Sequence, residues 1–256
     1  MRYEVLGTLR IRTGDDHLTV NARNMEVVLA ALIARAGETV STARLVTEIW
    51  GEHPPRRHLA AIHVYISQLR KLLASEGRRT ARIVTRSPGY ALRLDGDQLD
   101  VDDFARLIRA GREHARAGRH HEALDVFEAA LDLWRGPALG DLRAGPIIDT
   151  FVTWAEDARL ECAELRIDSA LELGRHRELI APLHTLISEH PLHEAFHRQL
   201  MIALYRSERQ AEALQVYRSA RRTINEELGI EPCRSLRDLH RAILQADRGL
   251  DLSNAA

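Results

Sequence analysis

The feature that most limits the fold is a change of hydrophobic pattern near residue 96. Residues 3–20, YEVLGTLRIRTGDDHLTV, alternate in character and break at Gly7 and at Gly14-Asp15-Asp16, which reads as three short strands. From Leu99 onward the pattern is almost wholly helical, and no strand is readable in the C-terminal half. The expected organisation is a domain over 1–96, a second over 97–246, and a disordered polar tail over 247–256.

Within the first part, NARNMEVVLAALIARAGE reads as a helix from about 23 to 36. Its apolar stripe is Val27, Val28 and Leu32 with Ala31 and Ala34, and Gly37 is its stop. Thr39-Val40-Ser41 is a brief extended piece, and Ser41 or Thr42 can cap the helix TARLVTEIW, which ends at Trp50-Gly51. Pro54-Pro55 enforce a turn. In the next helix Leu59, Ile62, Ile66, Leu69 and Leu73 follow the three-four spacing of one buried face. ARIVTRSPGYALRL then reads as a hairpin turning at Ser87-Pro88-Gly89. Strands, helix, small strand, two helices and a hairpin make an α+β winged helix-turn-helix.

The charge divides at the same place. The chain carries 36 Lys+Arg against 37 Asp+Glu, a net charge of -1. Residues 1–100 hold 15 basic and 11 acidic side chains (+4), residues 101–256 hold 21 and 26 (-5), and residues 41–93 hold 10 and 3 (+7). A basic segment inside a neutral chain is the electrostatic footprint of a nucleic-acid binder, or else a solvated arginine face. A helix fits the major groove, and the outward face of the third helix is small and polar. We expect Ala61, Val64, Ser67 and Gln68 to meet base edges. Arg57, Tyr65, Arg70, Lys71, Arg82, Thr85 and Arg86 are expected at phosphates or the minor groove. Trp50 is expected to anchor the core, and Tyr65 to pack against the wing or touch phosphate.

The second part repeats. Aligning Arg119, Arg175 and Arg209 brings Leu124, Ile180 and Leu214 into register, and likewise Phe127, Leu183 and Tyr217. The second spacing is 34 residues, the tetratricopeptide period; the first is 56, so an insertion or longer helix intervenes around RGPALGDLRAGP. The expectation is an all-α, tetratricopeptide-like (TPR-like) array presenting a groove to other proteins.

Catalytic chemistry finds little support. Lys71 is the only lysine, and no P-loop string surrounds it. Cys162 and Cys233 lack the spacing of a disulfide framework or a cysteine zinc site. His193-Glu194-Ala195-Phe196-His197 spells H-E-x-x-H, which on a helix can chelate zinc. A zincin also needs a third ligand, a cleft and a neighbouring strand, none of which is readable, and the match opens a helix after Pro191. We expect no enzyme activity, no cofactor and no metal. With no long apolar run and no signal layout at the N-terminus, the expected location is the cytoplasm, without membrane attachment.

LVTEIWGEHPPRRHLAAIHVYISQLRKLL with IVTRSPGYALRL resembles the OmpR-type winged helix of the Streptomyces antibiotic regulatory proteins (SARPs). LDVDDFARLIRAG, ALDLWRGPALGDL, RQLMIALYRSERQAEALQVY and EELGIEPCRSLRDLHRAIL resemble their bacterial transcriptional activation domain. The resemblance covers about residues 3–246 and implies a pathway-specific activator of a secondary-metabolite (antibiotic) gene cluster. It also implies binding to direct repeats in double-stranded DNA, self-association there, and recruitment of RNA polymerase holoenzyme. Larger members add an ATPase module and many OmpR-type proteins a receiver domain; neither is readable in these residues. A helical interaction scaffold and a zinc hydrolase through residues 193–197 stand as the alternatives.

Overall fold

A computed structural model describes residues 1–14, 16–74, 82–142 and 144–250. The chain forms two compact units. One comprises Met1–Leu107 with Ala129–Leu160, the other Ile108–Glu128 with the chain from Glu161 onward.

The first unit begins with β1 (Arg2–Glu4), β2 (Arg10–Thr13) and β3 (Asp16–Leu18), followed by α1 (Arg23–Ala34), β4 (Val40–Ser41), α2 (Thr42–Trp50) and α3 (His58–Leu72). The wing strands β5 (Ile83–Arg86) and β6 (Gly89–Leu92) come next, then β7 (Gln98–Leu99). One sheet has the order β3-β2-β1-β7, with β7 parallel to β1 through Arg2↔Gln98 and Tyr3↔Leu99. The wing sheet has the order β4-β6-β5. This matches the α+β winged helix-turn-helix expected from the sequence. β7 is two residues long, too short to leave a periodic signal, and it takes in Leu99, where the helical pattern begins.

Helix α1 buries every residue from Val27 to Ile33, more than its expected stripe. It packs against α2, α3 and β6, so no side is left for solvent along this run. Ser41 caps α2 as expected, its hydroxyl accepting from the Arg44 N–H at 3.2 Å. Gly89 is more than a turn residue. A Cβ there would sit 1.9 Å from the Val40 carbonyl oxygen, so only glycine lets β6 approach β4 this closely.

Two apolar expectations need correction. Ile62, Ile66, Leu69 and Leu73 are buried, but Leu59 is 53 % exposed in the first turn of α3. Trp50 is only half-buried, at the last residue of α2, its ring 6.5 Å from that of Tyr65.

The remaining helices are α4 (Asp100–Arg116), α5 (His120–Leu131), α6 (Pro146–Glu172), α7 (His176–Glu189), α8 (Glu194–Arg206), α9 (Gln210–Leu228) and α10 (Arg234–Leu244). Both a loop and a 27-residue helix account for the long spacing between the first two repeats. The loop joins the first unit: Arg135 and Leu139 donate backbone N–H groups to the Leu6 and Val5 carbonyls. Trp134 packs edge-on against Phe104, ring centroids 5.4 Å apart, and the Arg159 guanidinium lies over the Trp134 ring, 4.9 Å from its centroid.

Two buried carboxylates tie this unit together. Asp100 accepts from the Val5 and Leu6 N–H groups at 2.9–3.0 Å. Burial pushes its carboxyl above the usual range, while those bonds and Arg135 pull the other way. Glu48, on α2 and 1 % exposed, accepts from the Ile147 and Ile148 N–H groups at 3.0 and 2.8 Å. It therefore caps the start of α6 from a helix a hundred positions earlier, where the unpaired N–H groups and the helix dipole favour an anion.

In the second unit the repeat is visible in the backbone. Gly118, Gly174 and Glu208 all take left-handed conformations (φ 72°, 75° and 63°). Each is followed by an arginine whose N–H reaches back five residues, to His114, Ala170 and Leu204. The aligned Phe127, Leu183 and Tyr217 are buried, as are Ala123, Leu179 and Ala213 one turn earlier. Gly111 leaves room for the Phe127 ring. Of the expected tail, Arg248–Leu250 form a 3-10 turn; residues 251–256 lie outside the described residues.

Candidate nucleic-acid interface

The turn between α2 and α3 aims α3. Gly51 takes φ 59°, Pro54-Pro55 follow, and the His58 N–H bonds the Pro55 carbonyl at 3.0 Å. With its inner face packed, α3 presents Ala60, Val64, Ser67, Gln68 and Lys71 exposed and Ala61 half-buried. Val64 is 51 % exposed on this face.

The wing is fastened to α3 at two points. Arg70 donates to the Ile83 carbonyl at 2.8 Å and to the Thr85 hydroxyl at 2.9 Å. His63 and the Tyr90 hydroxyl are 3.2 Å apart, with their rings edge-on. Neither link was legible in the sequence, because the residues lie 13 to 27 positions apart and belong to common surface types.

The cations expected at DNA sort into two groups. Arg57, Lys71 and Arg86 are exposed and form no ion pair within 4 Å among the described residues. Arg57 stands at the N-cap of α3, Lys71 near its C-terminal end and Arg86 at the wing tip. Arg82 is different, and its expected place at the DNA is corrected. It is buried, pairs with Asp97 at 2.5 Å and donates to the Leu73 carbonyl, so its charge serves the core. Burial alone would push the Asp97 carboxyl up, but hydrogen bonds and charge from Arg82 and the Met1 amine bring it below the usual range. Arg70 and Thr85 bond each other, so both are partly occupied. Tyr65 turns to α1 instead of the wing: its hydroxyl accepts from the Asn24 amide at 3.2 Å.

The H-E-x-x-H residues diverge. His193 pairs with Glu164, Glu194 accepts from the Cys233 N–H at 2.7 Å, and His197 bonds the Pro191 carbonyl at 2.8 Å. Burial holds the His197 imidazole below its usual pKa. Each polar side chain of the motif thus has a separate structural partner. Among the described residues no group of three or more His, Cys, Asp or Glu is arranged to hold a metal ion. No described helix is long and apolar enough to cross a membrane.

Two family models match the chain. The bacterial transcriptional activator domain matches residues 99–244, and the C-terminal domain of transcriptional regulatory proteins matches residues 17–92. Regulatory protein DnrI of Streptomyces peucetius is 38 % identical, over 98 % of this chain and 94 % of its own length. Regulatory protein AfsR of Streptomyces griseus is 40 % identical over 98 % of this chain, which spans 25 % of AfsR. Among solved structures, Mycobacterium tuberculosis EmbR in complex with a low affinity phosphopeptide superposes with a TM-score of 0.89. That match has 33 % identity and covers 96 % of this chain and 65 % of EmbR.

Proposed function

The chain belongs to the SARP family of transcriptional regulators, which join an OmpR-type winged helix to a bacterial transcriptional activator domain, and from that premise we propose that it is a sequence-specific DNA-binding activator of a secondary-metabolite gene cluster. The observation that carries this reading is the outer face of α3. It is small, exposed and flanked by cations that form no ion pair among the described residues. In this reading α3 lies in the major groove. Gln68 bonds an adenine edge, Ser67 bonds a neighbouring base, and Val64 and Ala61 cover thymine methyl groups. Arg57 and Lys71 hold phosphates on either side, and Arg86 reaches the backbone or minor groove from the wing tip. Arg70 and Thr85 set the angle of the wing, and Tyr65 steadies α3 against α1. The helical part meets RNA polymerase, and copies associate on direct repeats in the cytoplasm.

Footprinting on upstream DNA of the neighbouring gene cluster, with two variants, tests the reading. Gln68→Ala is expected to cost about 1–3 kcal/mol at one position of the site only. Lys71→Ala is expected to weaken binding to every sequence and to reduce the salt slope by about one. A uniform loss from Gln68→Ala would remove its base-reading role. The absence of any preferred fragment would favour an interaction scaffold.

A further inference from the structure

The second unit carries a cationic cleft that the DNA-binding reading does not use. Although residues 101–256 are net acidic, Arg218, Arg221 and Arg222 of α9 line one cavity of about 430 Å³, together with Asn225, Glu231 and the stacked rings of Tyr217 and His240. Arg221 is neutralised by Glu231 through two bonds of 2.8 Å. Arg218 and Arg222 are exposed and have no ion pair within 4 Å among the described residues. They stand one helical turn apart, where like charges repel and weaken the helix. Glu226, one turn beyond Arg222, does not line the cavity. Two guanidinium groups with no ion pair among the described residues thus line one cleft, Glu231 there being engaged by Arg221, and a bound anion would offset their mutual repulsion.

The other wall is aromatic. The Tyr217 and His240 rings lie 3.9 Å apart and 13° from parallel. Burial, then the charge of Arg218, holds the imidazole below its usual pKa, which favours the uncharged ring. Guanidinium forks match phosphate oxygens, and a flat uncharged ring suits a heterocycle. We propose that this cleft binds a nucleotide, its phosphates held by Arg218 and Arg222 and its base lying against the Tyr217–His240 stack. The cavity is within the volume range of small-ligand sites. The site does not depend on α3 or the wing, so its failure would leave the DNA-binding reading standing.

The test is calorimetric titration of the full chain with ADP, with pyrophosphate and with a DNA duplex, at low ionic strength. ADP is expected to bind saturably and more tightly than pyrophosphate. Arg218→Gln with Arg222→Gln is expected to weaken ADP at least about tenfold, since each charge-assisted bond lost is worth that much. His240→Ala is expected to bring ADP down to the level of pyrophosphate. The substituted positions are exposed or half-buried, and circular dichroism checks that each variant keeps its fold. No saturable ADP binding, equal binding by the arginine double variant, or a double-variant defect confined to the duplex would each overturn the proposal.

Discussion

The first unit is tied by bonds that span close to a hundred positions, whereas the side-chain bonds of the second, such as Glu194 to Cys233 across 39, are shorter in range and its helix ends close on themselves. Glu48 reaches Ile147 and Ile148, and Asp100 reaches Val5 and Leu6, each across close to a hundred positions. The second unit closes three of its helices with the same five-residue turn. A buried carboxylate concentrates stability in one group, whereas a repeated turn divides it among several. The contrast can be broken by substitution. All three tryptophans, Trp50, Trp134 and Trp154, belong to the first unit, so their fluorescence follows that unit alone.

The largest effect is expected from Glu48→Ala, which leaves two buried N–H groups at the start of α6 without an acceptor. A loss of about 3–5 kcal/mol should appear in urea unfolding followed by fluorescence. Arg82→Ala is expected to cost about 3 kcal/mol by taking the guanidinium away from the buried Asp97 carboxylate, which keeps the Met1 amine. It should also change the pH profile. Asp97 has a lowered carboxyl pKa, so its stabilisation is present above the ordinary carboxylate range and lost as pH falls through the lowered value. Without Arg82 the loss should begin at higher pH in acid titrations of stability. Gly89→Ala is expected to cost about 2–3 kcal/mol, because β4 must move away from the added methyl.

Smaller effects are expected from the repeated turns. Gly118→Ala and Gly174→Ala should each cost about 1 kcal/mol, and Glu208→Gly should gain about 0.5–1 kcal/mol, for the left-handed conformation is strained only where a Cβ is present. Far-ultraviolet circular dichroism should register these changes with the fluorescence midpoint unmoved. Arg86→Ala should alter stability by no more than about 0.5 kcal/mol and show itself only in DNA affinity. A large loss of stability from Arg86→Ala would break the division between structural and available cations.

Local signals explain what the sequence disclosed. Ser41 as a cap, the inner face of α3 from Ile62 to Leu73, and the register of Phe127, Leu183 and Tyr217 all repeat or sit beside what they bond. Arg82 and Arg86 show the limit. Both are arginines of one hairpin, and nothing local tells that Asp97 claims the first and leaves the second in solvent. Leu59 obeyed the spacing of a buried face but lies in the first turn of α3, exposed. Glu48 was legible only as one more helical glutamate, because its partners are backbone N–H groups that any residue type supplies.

That Glu48 bond bears on how the protein can be dissected. A gene fragment ending near residue 96 would encode α1, α2, α3 and the wing, yet deliver Glu48 with no helix start to cap and Val5 and Leu6 with no Asp100. Such a fragment should express with α3 in place and its underside open, prone to self-adhesion. Because the first unit is assembled from two separated stretches of chain, no single cut releases it whole. The proposed DNA specificity is therefore better tested in another regulator by exchanging the surface residues of α3 than by splicing the domain.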